Sequence, residues 1–539
     1  MNFKAKSGRT RFETMVCRNR ISAPSEFYFG KPFFYPLCVG RLICGLISGM
    51  NQTWTIENFT EVRNHQLYVN GASAIDLADR FDTPLFVFSE PRIRHNIKRL
   101  KRGETVIDCP LKICYAAKAN SNMAILRAVK DAGSDLEVNS GGELFKALKV
   151  GFKPEQIIFN GTSKTETELE EAISAGIYAI QADSYYEIEL IEIVAQRLNK
   201  RANVSLRLVP EIESDTLNGL QTALLTSKFG MMPDEALTAF RRWKSDDKFL
   251  NLCGIHLHIG SQNPKSAPYT EALKILFENL REIHEIGHTL SHLNLGGGFP
   301  VNYLRDKSHE AQFSDEQREL FSATLEPLDV LRDAWNVIKE TAKSQKAEHL
   351  LENIELLLEP GRSVISDAGI CLTRVRNLKE RPVNNEKLKI KNGKIESEGS
   401  AIQNPKSKIQ NDVWLLTDAG FNILLSMETY KWYYHLISAN RADENHETPY
   451  KLAGPLCDGG DVYFDIEGQN RLPDYRLLPE NVQPNEVLAL LNCGAYSIAQ
   501  MFQYNGRQLP AIVLIKENGE VELIRKRDSY EDLLINDIW

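Results

Sequence analysis

The chain has 539 residues, of which 42% are hydrophobic and 25% charged, and its formal net charge is −8. That length exceeds one simple domain and suffices for two well-buried cores, while the mild acidity argues against nucleic acid and anionic membrane surfaces as partners. Nine cysteines, irregularly spaced and without a CxxC pair, argue against a disulfide framework or a metal site and fit reduced thiols in a cytoplasmic protein.

Residues 1–50 stand apart. MNFKAKSGRTRFETMVCRNR is basic and without period, and FFYPLCVGRLICGLISGM is apolar but broken by Arg41, too short to span a membrane. The segment lacks the order of a secretory signal. It reads as an organellar transit peptide or, more simply, as residues upstream of a start at Met50. From Trp54 the pattern is regular. QLYVNGASAIDLADRFDTPLFVFS predicts a strand, a turn at Asn70-Gly71, a helix and a second strand. Residues 51–85 are expected to lead in, with the strand near QLYVNG joining a later β-domain. Over 86–368, eight short apolar runs (LKICYAAK, DLEVNS, QIIFNG, YAIQAD, NVSLRLVP, LCGIHLHIG, HLNLGGGF and IELLLEPG) alternate with helical stretches such as TETELEEAISAG. Such alternation implies parallel strands covered on both faces. Eight units close a (β/α)8 barrel of ~250 residues. The competitor is an open doubly wound sheet, whose dinucleotide-binding form is disfavoured because no GxGxxG follows the first strand. Over 369–539 the runs ICLTRVRNL, DVWLLTDAG, DVYFDI, EVLALLNCG and AIVLIKENGEVELIRK predict an all-β domain. The polar, lysine-rich stretch 379–412 inside it reads as a mobile surface insertion.

Chemically conspicuous residues gather at the ends of the barrel strands, on the face where barrel enzymes keep their sites. Lys118 ends LKICYAAK. A lone lysine there snorkels to solvent; the chemical alternative is a Schiff-base lysine with a lowered pKa. His256 and His258, in GIHLHIGSQ, are expected to divide, one facing the barrel mouth and one structural, and no third ligand makes them a zinc site. A flat imidazole against a flat ring is the other use, with Ser261 near an anion. The glycines 296–298 of NLGGGFP make a tight turn or a phosphate cradle. Glu359, in LLLEPGRS, either pairs with Arg362 or bonds a protonated ring nitrogen, which leaves Arg362 for a phosphate. Together these groups describe a site for pyridoxal 5′-phosphate.

The motifs YAAKAN, SGGEL (140–144), SKFGM (227–231), GIHLHIGSQ, GGGFP, EPGR, GPLCDGGD (454–461) and CGAY (493–496) follow one another in an order that carries a resemblance. Over residues 55–530, apart from the insertion, the chain resembles the fold-type III pyridoxal-phosphate decarboxylases, the group of diaminopimelate, ornithine and arginine decarboxylases, and most of all the diaminopimelate decarboxylase-like members. The resemblance implies an alanine racemase-like α/β barrel followed by a β-domain, and a head-to-tail homodimer whose active sites draw on both chains. It implies that Lys118 holds the cofactor, His258 stacks on its ring, Glu359 bonds the ring nitrogen, and Ser261, Gly297, Gly298, Arg362 and Tyr496 hold the phosphate. Glu137 stands where many members have Asp and belongs to the same cofactor site. Cys457, which would reprotonate the α-carbon, and Asp458, which would recognise the substrate, come from the partner subunit. The substrate signals are mixed. Cys457-Asp458 is the ornithine-type pair where the diaminopimelate branch has Cys-Glu. ILLSMETYKWYYH, after DAGFN, has no arginine for a distal carboxylate, and Lys431 is the cation in its place. The implied substrate is diaminopimelate or a related dibasic amino acid such as lysine, ornithine or arginine. An amino-acid racemase and a non-catalytic regulatory homologue are the alternatives. Cys114, Tyr115, Cys253 and Cys371 read as structural.

Overall fold

The computed structural model describes residues 54–538 except 210, 225, 306–311, 383–387, 392–393 and 398–410. The readings of residues 1–50 and of most of 379–412 lie outside the described residues.

All eight apolar runs become strands of one closed parallel barrel: β1 (Leu111–Ala116), β2 (Asp135–Val138), β3 (Ile157–Phe159), β4 (Ala179–Ala182), β5 (Ala202–Arg207), β6 (Leu250–His256), β7 (His292–Asn294) and β8 (Glu355–Leu358). Each pairs with the next, and β8 returns to β1 through Leu356–Leu111 and Leu358–Ile113. The helices start where the sequence supplies side-chain caps for free backbone N–H groups. Asn122 accepts from Ala124 N–H at 2.9 Å, Ser140 from Glu143 N–H at 3.3 Å, and Thr165 forms a reciprocal capping box with Glu168. In the helix Glu166–Ala175, Leu169, Ala172 and Ile173 make the buried stripe, so the strands' outer faces are covered. The apolar part of the barrel's own interior is small: Cys114, Ile158 and Leu357, with Tyr178 packed against them. Much of the rest of that interior is polar.

A nine-stranded sheet forms the second layer. Its central strand Gly369–Pro382 pairs antiparallel with Leu85–Ser89, Asn411–Thr417 and Val487–Leu490. Leu85–Ser89 is buried at every residue and also runs parallel to Ala511–Ile515. A boundary that begins the barrel at residue 86 is therefore too early, because LFVFS is apolar on both faces and completes this sheet instead. The strand Gln66–Val69 does not join the large sheet. Asn70 and Gly71, both at positive φ (46° and 82°), close a tight turn that pairs it with Ala72–Ser73, and its other edge takes Thr60–Arg63. It meets the β-domain through Leu67 N–H to Ala439 O at 2.9 Å and a shared core with Ile370, Leu372 and Ile437. DVYFDI makes only a bridge from Val462 to Ala453. There the Asp461 carboxylate accepts from Phe421 N–H (2.9 Å) and Leu456 N–H (2.8 Å) and folds the segment into a turn. The ladder with Asn411–Thr417 extends to Pro382, so 379–382 and 411–412 are strand rather than insertion, and Leu388–Lys391 pairs with Lys394–Ser397. Among the described residues no helix is long and apolar enough to cross a membrane.

Candidate active site

Every barrel strand delivers a polar side chain at or just past its C-terminal end: Lys118, Glu137, Asn160, Gln181, Arg207, His256, Asn294 and Glu359 in strand order. All but Lys118 are buried. Asn160 Nδ2 donates to both Glu137 Oε1 (2.8 Å) and Glu359 Oε2 (3.0 Å), so one amide joins two carboxyl groups. Glu359 Oε1 also accepts from Asn294 Nδ2 at 2.7 Å and Gln181 Nε2 at 3.4 Å, and His256 Nε2 lies 3.3 Å from Oε2. Lys118 Nζ sits 3.6 Å from Glu137 Oε1, with 38% of its side chain open to solvent.

These neighbours set the charges. Burial alone would raise the Glu359 carboxyl, but His256, Lys118 and Asn294 outweigh it and hold Glu359 well below the usual carboxylate range. Burial pushes Glu137 up to about 7, with Lys118 pulling it down and Glu359 pushing it further up. Burial also works against the Lys118 ammonium, yet Glu137, Tyr496 and Glu359 prevail and raise it. The expected depression of Lys118 is thus reversed by the two carboxyl groups beside it. Burial first, then Lys118 and Arg207, hold His258 well below its ordinary value. His258 is neutral, and its Nδ1 accepts from Gly260 N–H at 3.2 Å, which leaves the proton on Nε2. The expected division of the two histidines does not hold. Residues two apart on a strand share a face, and His256 and His258 both lie among the mouth groups, each under the field of Lys118 and Glu359.

Arg362 does not pair with Glu359. Its Nε donates to Ser261 Oγ (3.1 Å) and its Nη1 to Tyr303 OH (2.9 Å), and the guanidinium lies 4.2 Å from the Trp432 ring and 5.0 Å from that of Tyr496. The glycine loop packs on both neighbours. A Cβ on Gly297 would collide with Glu359 O, and one on Gly298, at φ 102°, would come within 2.6 Å of Asn263 Nδ2 and 2.7 Å of Gly260 O. Tyr496 reaches the mouth from the β-domain, with its N–H donating to Ala119 O at 2.9 Å. Lys118, Glu137, His258, Ser261, Gly297, Gly298, Glu359, Arg362 and Tyr496 are therefore brought together. Cys457 and Asp458 are not. Cys457 is exposed, with its N–H on Asn505 Oδ1 at 2.7 Å, and Asp458 accepts from Tyr504 OH at 3.2 Å, both within the β-domain. Lys431 is buried against Glu428 Oε2 at 2.8 Å, so its ammonium is already engaged. Cys114 and Tyr115 are buried, and the Tyr115 OH bonds Asn120 O at 3.1 Å.

Asn160, Gln181, Arg207 and Asn294 were absent from the sequence expectation, as were Tyr303 and Trp432. Arg207 stacks 4.1 Å from the Phe229 ring and lies 4.0 Å from Asp183 Oδ1. The first four had a signal, since each is the polar residue that closes an apolar run (IIFN, AIQ, SLR, HLN). Tyr303 and Trp432 reach the site from loops and had none. A cleft of about 1290 Å³ is walled by the loops after β5 and β6, by residues 312–321 after β7 and by Tyr430, Lys431 and residues 469–471, and it includes none of the mouth residues.

The donor set suits a flat, doubly functional cofactor. An accessible amine and an ionised carboxylate lie at one end, with a glycine cradle and an arginine suited to an anion at the other. Glu137 Oε2, Asn160 Oδ1 and Gln181 Oε1 are buried without a partner among the described residues, as the wall of a ligand site can be. Fold and site together define a parallel-barrel enzyme with a lysine-centred site at the strand ends. The family described as "Pyridoxal-dependent decarboxylase, pyridoxal binding domain" matches residues 93–366. The diaminopimelate decarboxylase of Methanocaldococcus jannaschii is 32% identical over 89% of this chain and 96% of its own, and that of Bacillus subtilis is 30% identical over 88% and 95%. The crystal structure of the M. jannaschii diaminopimelate decarboxylase in co-complex with L-lysine superposes with a TM-score of 0.73 at 31% identity, covering 89% of this chain and 98% of that one. The chain belongs to the pyridoxal-dependent decarboxylase family.

Proposed function

We propose that Lys118 carries pyridoxal 5′-phosphate and that the chain decarboxylates an amino acid with a second amine, of the diaminopimelate and lysine class. The observation that carries this reading is the lysine at the strand ends, 3.6 Å from one buried carboxyl group and linked through Asn160 to a second, ionised one. When bound, the cofactor supplies a ring that accepts the electron pair left by departing carbon dioxide. Glu359, held ionised, would keep a proton at the ring nitrogen. Neutral His258 would lie against the ring without adding charge. Gly297, Gly298, Ser261, Arg362 and Tyr496 would hold the phosphate, and Glu137 would line the lysine side.

Cys457 and Asp458 are exposed on a β-domain loop and bond only within that domain among the described residues. We assign them to the site of a second copy in a homodimer, where the Cys457 thiol delivers a proton to the α-carbon and Asp458 faces the distal amine. The engagement of Lys431 by Glu428 supports recognition of a distal amine over a distal carboxylate. The soluble composition supports a cytoplasmic location. The test is carbon dioxide release from the LL, DD and meso forms of diaminopimelate and from lysine, ornithine and arginine, each as the L and the D isomer. Release from at least one is expected. Racemisation without release would replace this reading.

A further inference from the structure

We propose that Glu137 is the station for Lys118: whenever the lysine nitrogen is released, Glu137 gives it a proton and holds it as an ammonium ion. The inference rests on Lys118 being the cofactor lysine. In the step one O–H bond of a carboxylic acid breaks and one N–H bond forms, so an acid and an amine become a carboxylate and an ammonium. The reverse step frees the amine to attack again, and no other reactant is required.

Three observations place this task on Glu137. Its carboxyl is the only ion-pair partner of Lys118 among the described residues. Glu137 and Glu359 share a single amide donor, and two adjacent buried carboxylates do not both ionise readily. Of the two, Glu359 has further donors in Asn294 and Gln181, whereas Glu137 Oε2 is buried with no partner among the described residues. Glu137 is thus the member that can take and lose a proton, and its value of about 7 suits exchange at neutral pH. The charged groups facing it are Lys118 beyond β1, Glu143 on the helix Gly141–Val150, Arg207 on β5 and Glu359 beyond β8; β3 contributes the neutral Asn160. A carboxyl one methylene shorter, as in Asp, would reach less far toward Asn160.

The test is competitive acetylation of the cofactor-free full chain with acetic anhydride across pH, with peptide masses giving the midpoint for each lysine. In the wild type the Lys118 midpoint is expected above that of Lys526, which is 76% exposed. In Glu137→Gln it is expected to fall by about one pH unit, which gives about tenfold more free amine at a given pH, and Glu137→Asp is expected to restore most of the shift. A purely structural role would change the labelling amplitude and leave the midpoint in place. Coincident midpoints in wild type and Glu137→Gln would overturn the proposal. So would a wild-type Lys118 midpoint below that of Lys526, a result that does not depend on the variant folding. Failure of the underlying site reading has its own signature, namely cofactor fixed by borohydride to a lysine other than Lys118.

Discussion

The two ends of the barrel are both filled with polar side chains, and they treat them differently. At the floor, Lys112 Nζ meets Asp135 Oδ2 at 2.5 Å and Gln156 Nε2 donates to Asp135 Oδ1 at 2.8 Å. Also there, Tyr178 OH donates to Glu355 Oε2 at 2.8 Å, and Lys112 Nζ lies 4.9 Å from the Tyr178 ring, across the barrel. Apart from His292 Nε2, which is buried without a partner among the described residues, these floor groups consume their own hydrogen bonds. The mouth leaves Glu137 Oε2, Asn160 Oδ1 and Gln181 Oε1 without partners among the described residues. An unmatched buried polar atom costs about 1–3 kcal/mol, so the mouth gives up more stability than the floor. Floor substitutions should therefore read out as stability and mouth substitutions as chemistry.

The largest effect is expected at Lys118. Lys118→Ala should lower decarboxylation by about 10³-fold or more while the melting temperature stays close to wild type. Glu359→Gln should follow, with kcat reduced by about 10²-fold, because the charge that holds a ring proton is gone; steady-state kinetics checks both. A third buried cluster, around Asp367, joins the barrel to the β-domain. Asp367 accepts from Arg92 Nη2 (2.6 Å) and Asn96 Nδ2 (2.6 Å). Burial would raise its carboxyl, but Arg92 and Arg305 outweigh that and lower it. The stabilisation is therefore present above the unfolded value near about 4 and is lost as pH falls through the depressed folded value. Asp367→Asn should cost about 3–5 kcal/mol at pH 7 by leaving a buried guanidinium unpaired, and the gap to wild type should close in acid; denaturant melts at several pH values check this. The smallest effect is expected at the floor. Tyr178→Phe should cost about 1 kcal/mol of stability and leave kcat unchanged. A floor variant that lost activity at full stability would break the contrast.

The sequence made the barrel legible because each strand is a short apolar run closed by a turn or cap, and all eight runs took their places. Strand ends also carried most of the site. What escaped had physical reasons. LFVFS is apolar on both faces and so fits a barrel strand or a sheet centre equally well; only its pairing with Gly369–Leu372 decides. The histidine pair was misassigned by face, although the two-residue period of a strand already places both on one side. Tyr303 and Trp432 come from irregular segments with no period to reveal them, and the reversal at Lys118 depends on the distance to Glu137, which spacing does not encode.

The most direct test of the central claim, that this polar mouth holds the cofactor on Lys118, is borohydride reduction of the purified full chain followed by peptide mass mapping. The reduced phosphopyridoxyl group is expected on the peptide containing Lys118 and on no other. Its presence on a different lysine, or an unmodified Lys118 peptide from an active preparation, would contradict the account.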